Sequence, residues 1–155
     1  HEIEHYFLAP PGQRWFFDTE DDTARFDGDG FEGTEHLEPK RGRRHVSLVL
    51  MAHPTLGVWL QWSTWGGEQN YMFFSKGDLA RLRQFVRNSY DTPISVGLLV
   101  PFEIAWKAVK EFLETDGQLP KSIEWVENTD LPADIFPDPH DPIVDERLIR
   151  PPYDK

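Results

Sequence analysis

Three apolar runs, each closed by a tight turn, constrain this chain more than anything else in it. Val46-Ser47-Leu48-Val49-Leu50-Met51 runs into the turn His53-Pro54-Thr55-Leu56-Gly57. Val58-Trp59-Leu60-Gln61-Trp62-Ser63 follows, and Trp65-Gly66-Gly67 turns the chain again before Tyr71-Met72-Phe73-Phe74. β-Branched and aromatic residues suit a pleated, half-buried surface, and runs of this kind separated by glycine and proline are expected to pair as an antiparallel meander. Arg14-Trp15-Phe16-Phe17 is a further strand candidate ahead of an acidic loop, Asp18 to Asp22. Asp27-Gly28-Asp29-Gly30 is a strong turn signal.

The second half has a different period. Asp78 is placed to cap a short helix through Leu79, Leu82, Phe85 and Val86, and Ser95 to Val100 is strand-like. Pro101 opens the clearest helix, residues 102–115. Ala105, Trp106, Val109, Phe112 and Leu113 recur at helical spacing on one face. Glu103/Lys107, Lys107/Glu111 and Lys110/Glu114 pair charges four apart on the other. Gly117 stops the helix, Pro120 prevents a restart, and Ser122-Ile123-Glu124-Trp125-Val126 reads as a returning strand. The expected fold is α+β: an antiparallel β-sheet meander with one main amphipathic helix (about 102–115) and a second short helix on one face. From Glu127 six prolines alternate with carboxylates. Because proline forbids most regular pairing, residues 127–155 are expected as an extended tail behind a single domain, residues 1–126. Leu131, Ile135, Phe136, Ile143 and Leu148 are its candidate anchors.

A length of 155 residues suits one domain with a real core. Aromatic residues at 14% are too many for a disordered chain. No apolar run reaches transmembrane length, and no signal peptide leads the sequence, so a cytosolic protein without membrane contact is expected. The absence of cysteine removes disulfides, thiolate zinc sites and cysteine nucleophiles. A net charge of −11 disfavours direct binding of nucleic acid, itself a polyanion. Such acidity serves solubility, or it serves to meet something basic.

Formal motifs lead nowhere catalytic. His1-Glu2-Ile3-Glu4-His5 matches the zinc-protease pattern H-E-x-x-H, which needs a sustained helix to aim both imidazoles at one metal. Here Ala9-Pro10-Pro11-Gly12 ends any helix within about two turns, and His36, His45, His53 and His140 are not spaced to add a third ligand. A calcium loop beginning at Asp27 would put Phe31 and Glu32 where a ligand and the obligatory glycine belong, although Glu38 falls correctly at the final position. Neither a nucleophile elbow nor a phosphate-binding glycine loop is present. No catalytic residue, metal site or cofactor is therefore expected. The basic turn Lys40 to Arg44 reads as a solvated hairpin tip. Strand alternation puts Trp62 on one side of the sheet and Trp59, with Trp65, on the other.

One stretch resembles a known family. Val100-Pro101-Phe102-Glu103, Ala105, Ala108-Val109, Glu111-Phe112, Gly117, Leu119-Pro120 and Ser122-Ile123-Glu124-Trp125 are similar to the C-terminal signature of the bacterial polymorphic-toxin immunity proteins of Imm family one. Tyr71-Met72-Phe73-Phe74-Ser75-Lys76-Gly77-Asp78 is similar to the aromatic strand and G-D turn that precede it. The resemblance covers residues 71–126, about a third of the chain. It implies a small cytosolic α+β protein, not an enzyme, that binds and neutralises a cognate toxin. Members are typically encoded beside deaminase-fold toxins, zinc enzymes that act on nucleic-acid bases. Such a partner has a basic active-site cleft, which would account for the acidity. The family brings no catalytic motif, and the tail after Trp125 extends beyond its usual end.

The corresponding expectation is inhibition by occlusion, with carboxylates lying where phosphates would and an aromatic side chain as wedge. Asp18, Glu20, Asp21, Asp22, Asp27, Asp29 and Glu32, with Trp59 or Trp65, are the candidate toxin-binding residues, because loops and turns put them outside the sheet. The alternatives are a small-ligand-binding protein or hydrolase with a pocket between sheet and helix, and a scaffold module presenting its proline-rich tail to another domain.

Overall fold

The computed structural model describes residues 4–9, 23–28, 45–65, 70–88 and 90–153. The meander is present and longer than the apolar runs alone. β1 (Thr23–Gly28), β2 (His45–His53), β3 (Gly57–Trp65) and β4 (Tyr71–Ser75) pair in sequence order, all antiparallel. The His53-to-Gly57 turn gives β2 and β3 their register, with Leu50 opposite Leu60 and Leu48 opposite Trp62. β1 begins at Thr23 and takes in Asp27 and Gly28, which the dipeptide signal places in a turn. Pairing of Ala24 and Phe26 against β2 decides this, because both pack on the main core.

The strand-like stretch Ser95 to Val100 divides between the end of a hairpin, a 3-10 turn and a short strand on β3. Residues 85–87 form β5 and residues 93–95 form β6, a separate hairpin. A 3-10 turn at Val96–Leu98 leads to β7 (Leu99–Val100), which pairs with β3 at Val58 and Trp59, where β4 has already ended. The helix expected from Asp78 shrinks to a 3-10 turn, Leu79–Arg81. Asp78 does cap it, accepting from the Ala80 amide at 3.1 Å. Phe85 and Val86 go to the hairpin instead, since nucleating a helix is costly and strand partners are at hand on both sides. Val86 faces Ile94 across the hairpin, and the Ile149 amide donates to the Phe85 carbonyl at 2.9 Å.

α1 (Glu4–Leu8) and α2 (Phe102–Glu114) lie on one face of the sheet. The α2 stripe of Phe102, Ala105, Trp106, Val109 and Phe112 is buried together with Ala108, whereas Leu113, on the margin, stays exposed. Glu111 does not simply face solvent. Its carboxylate accepts from the backbone amides of Lys121 and Ser122. The helix closes with Asp116 in the left-handed region and the Gly117 amide donating to the Phe112 carbonyl at 2.9 Å. The Gly117 carbonyl in turn accepts from the Trp62 indole at 2.9 Å, and the Trp125 indole donates to the Pro120 carbonyl at 2.7 Å. These bonds return the chain to β8 (Trp125–Glu127), which adds to β4 and completes the six-stranded sheet, shorter and later than the strand expected from Ser122.

The other face carries a second core of Trp59, Phe74, Val86, Ile94, Val96, Leu98, Leu99 and Ile135. The β5–β6 hairpin and the residues after β8 cover it. That tail is not uniformly extended. It forms 3-10 turns at Asn128–Asp130 and Ala133–Ile135, then α3 (Pro142–Arg147). Proline forbids strand pairing but suits the first position of a helix, where its missing N–H is not needed. Pro142 sits there, behind an Asp141 cap that accepts from the Ile143 amide at 3.0 Å. Ile135 and Val144 are the fully buried anchors, and Leu131, Ile149 and Tyr153 pack against the second core. Arg83 and Arg147 both reach Asp134, at 2.9 and 3.5 Å, and Arg87 reaches Asp145 at 3.3 Å.

Candidate functional site

Most of the expected acidic set lies outside the described residues: Asp18, Glu20, Asp21, Asp22, Asp29 and Glu32. So do the strand candidate at Arg14 to Phe17, the basic turn Lys40 to Arg44, and His1. Asp27 is exposed on β1, where its carboxylate takes the Arg25 guanidinium at 2.8 Å. The two outer tryptophans separate. Both point away from α2, as strand alternation requires. Trp59 is only 6% exposed, packed 5.4 Å from the Phe74 ring in the second core, which corrects its expected place outside the sheet. The tail covers this end of the sheet and stops short of the other. Trp65 is 38% exposed, stacked on His45 with ring centroids 5.4 Å apart, and the Arg25 guanidinium sits 5.7 Å from its ring.

Between sheet and helix the described side chains pack together as the main core. Among the described residues, two hollows open on the helix-distal face. The first, about 400 Å³, has Met51, Trp59, Gln61, Met72 and Phe74 from the sheet, Thr92, Pro93 and Ser95 from the hairpin, and Asn128, Ile135, Phe136, Pro137 and Pro139 from the tail. The second, about 450 Å³, is bounded by residues 63–65, 70–72 and 127–129. Met72 and Asn128 belong to both walls, so the two form one groove along the sheet with the tail as a lip.

The first hollow is mainly apolar, with Gln61, Thr92 and Asn128 able to fix an orientation, and the second is more polar, with Asn70, Glu127 and Thr129 in its wall. Ser95 already donates to the Leu82 carbonyl at 2.6 Å. Phe136 leans on Phe74 at 5.0 Å yet remains 44% exposed. As an anchor of the tail it is thus half satisfied, and its other side faces outward. Tyr90, also exposed, sits at the tip of the hairpin that supplies the opposite wall. Sequence alternation locates the floor of this groove, but nothing local in the chain says that residues 135–139 return to line it. The Phe136-Pro137-Asp138-Pro139 run, an aromatic followed by two closely spaced prolines, is the signal there.

Among the described residues no group of three or more His, Cys, Asp or Glu could hold a metal ion. The carboxyl of Asp134 is held below its ordinary value mainly by the hydrogen bond from Arg83 and further by Arg147, and it belongs to the clamp on the tail. No described helix is long and apolar enough to cross a membrane.

The residues that carry the family resemblance have structural employment. Ser75 is fully buried at the junction of β4 and β7, accepting from the Leu60 amide at 2.9 Å and donating to the Leu98 carbonyl at 2.7 Å. Gly77 and Gly97 touch backbone to backbone, with the Gly77 amide donating to the Gly97 carbonyl at 3.0 Å. Glu111, Gly117, Pro120 and Trp125 make the return described above. No curated protein and no solved structure matches the chain. Residues 74–127, from the end of β4 through β8, match the family model of the immunity protein Imm1, and Imm1 immunity proteins are non-enzymatic toxin inhibitors.

Proposed function

We propose that this protein is an immunity protein that binds a cognate toxin and neutralises it by occluding the toxin's substrate site. The family match over residues 74–127 is the observation that carries this reading. The fold supports it in one respect: the matched segment is scaffold, and surfaces of differing character are left for recognition. The net charge of −11 supports a basic partner. A deaminase-fold toxin, whose cleft must attract a nucleic-acid backbone, fits that requirement, and a cytoplasmic site of action fits such a toxin. The acidic residues Asp18, Glu20, Asp21, Asp22, Asp27, Asp29 and Glu32 are proposed to contribute long-range attraction, with Trp65 as the exposed aromatic.

The test is co-expression with the product of the neighbouring gene. A stable complex at micromolar concentration and stoichiometric loss of base deamination are the expected results. Absence of any complex ends the proposal. A complex with a toxin of other chemistry keeps the immunity role and removes the deaminase pairing.

A further inference from the structure

The matched segment ends at Glu127, and the chain then folds back over the sheet face that α2 does not use. This return makes the groove: without residues 128–139 the hollow around Trp59 and Phe74 would have no outer wall. The groove also concentrates the two properties a docking site needs. The hollow around Trp59 and Phe74 is mainly apolar, and Phe136 there and Trp65 in the more polar adjoining hollow stand partly exposed.

Charge says what kind of partner it suits. Glu127 lies in the groove wall, Asp130 follows the lining residue Thr129, and Asp138 stands between the lining prolines Pro137 and Pro139. None of the three takes an ion pair among the described residues. Asp138 accepts only the His140 amide, at 2.9 Å. Three arginines that approach the tail are already engaged: Arg83 and Arg147 with Asp134, and Arg87 with Asp145 and the Pro139 carbonyl. The lip therefore carries carboxylates that these arginines do not pair.

We infer that the groove between the helix-distal sheet face and the tail is the toxin-docking surface, and that its occupant is a toxin segment carrying arginine or lysine beside an apolar side chain. The tail then acts as the selectivity element, lying outside the segment that matches the family. This rests on the immunity reading and assigns its contact surface. Carboxylates of the lip speed encounter, and the apolar interior slows release.

The experiment measures association and dissociation rates against the neighbouring toxin, using full-length protein. The triple variant Glu127→Gln/Asp130→Asn/Asp138→Asn, which keeps side-chain size, should associate about tenfold more slowly at low salt and converge on wild type at high salt. Phe136→Ala should dissociate about tenfold faster. Hydrogen exchange on the wild-type complex should show new protection at 59–74 and 128–139, and it decides the matter if a variant misfolds. Wild-type binding with unchanged variant rates, or protection confined to residues 18–32, overturns the groove and leaves the immunity reading standing. Failure of the wild type to bind overturns both.

Discussion

Ser75 and Gly77 show why single residues in the matched segment are constrained. The Ser75 hydroxyl fills the gap where β3 changes partner from β4 to β7, serving one amide and one carbonyl that water does not reach. Removing it orphans both, and a buried unsatisfied group costs about 1–3 kcal/mol. Ser75→Ala should therefore lose about 2–3 kcal/mol in urea unfolding, although alanine is the smaller residue. At Gly77 the difficulty is space. A Cβ there would stand 2.7 Å from the Gly97 carbonyl oxygen and closer still to that of Leu99, and backbone cannot swing aside as a side chain can. Gly77→Ala should cost about 3 kcal/mol as overpacking, seen as a lower denaturation midpoint with an unchanged slope. Neither change touches the groove, so toxin affinity of the folded fraction should survive. Both residues stand in the run Tyr71 to Asp78 that carries the resemblance, but the sequence does not tell a buried bridging serine from a turn serine. That distinction needs the approach of Leu60 and Leu98, residues 15 and 23 positions away.

At the scale of elements, local pattern and tertiary pairing divide the outcome. α2 was legible because its period and its stops lie within one stretch, and β2, β3 and β4 were legible because turns separate them. β5 was not, because Leu79 to Val86 offers a helix cap and helical spacing while its strand partners lie at residues 93–95 and 148. α3 was hidden by its own prolines. Its segment is held by buried Val144 and by charge, and the charge is sensitive to acid. Asp134 has its pKa lowered by the Arg83 hydrogen bond, so its contribution is complete above the ordinary value of 3.8 and is lost as pH falls through the lowered folded value. Wild type should accordingly melt above Asp134→Asn at neutral pH, with the two midpoints converging in acid. The group is exposed, so the difference will be small. A gap that persists below the folded value would show that the asparagine acts through something other than charge.

For the molecule as a whole, the tail is part of the fold. A scaffold reading in which residues 127–155 could be deleted without harm to the domain conflicts with the packing of Ile135, Leu131, Ile149 and Tyr153 on the second core. Burying one such aliphatic side chain contributes about 1.5–3 kcal/mol, against a total of about 5–15 kcal/mol for a typical domain. Truncation after Glu127 should therefore give a protein with near-native far-UV circular dichroism but weakened near-UV signal and a tendency to aggregate, as Trp59 and Phe74 meet water. A truncated chain as stable and soluble as the parent would sink this account of the second core.

The sequence by itself determined the α+β class, the meander, the main helix with its stops, and the net charge of −11. Each of these depends on residues close in the chain, where alternation, helical period, turn chemistry and net charge act without knowledge of the rest. Only the tertiary structure decided that Trp59 is covered while Trp65 is not, that Phe85 pairs in a hairpin, and that the tail returns to line a groove. Those outcomes depend on which distant surface reaches a given side chain first, and they follow from how apolar faces on both sides of one sheet are shut away from water.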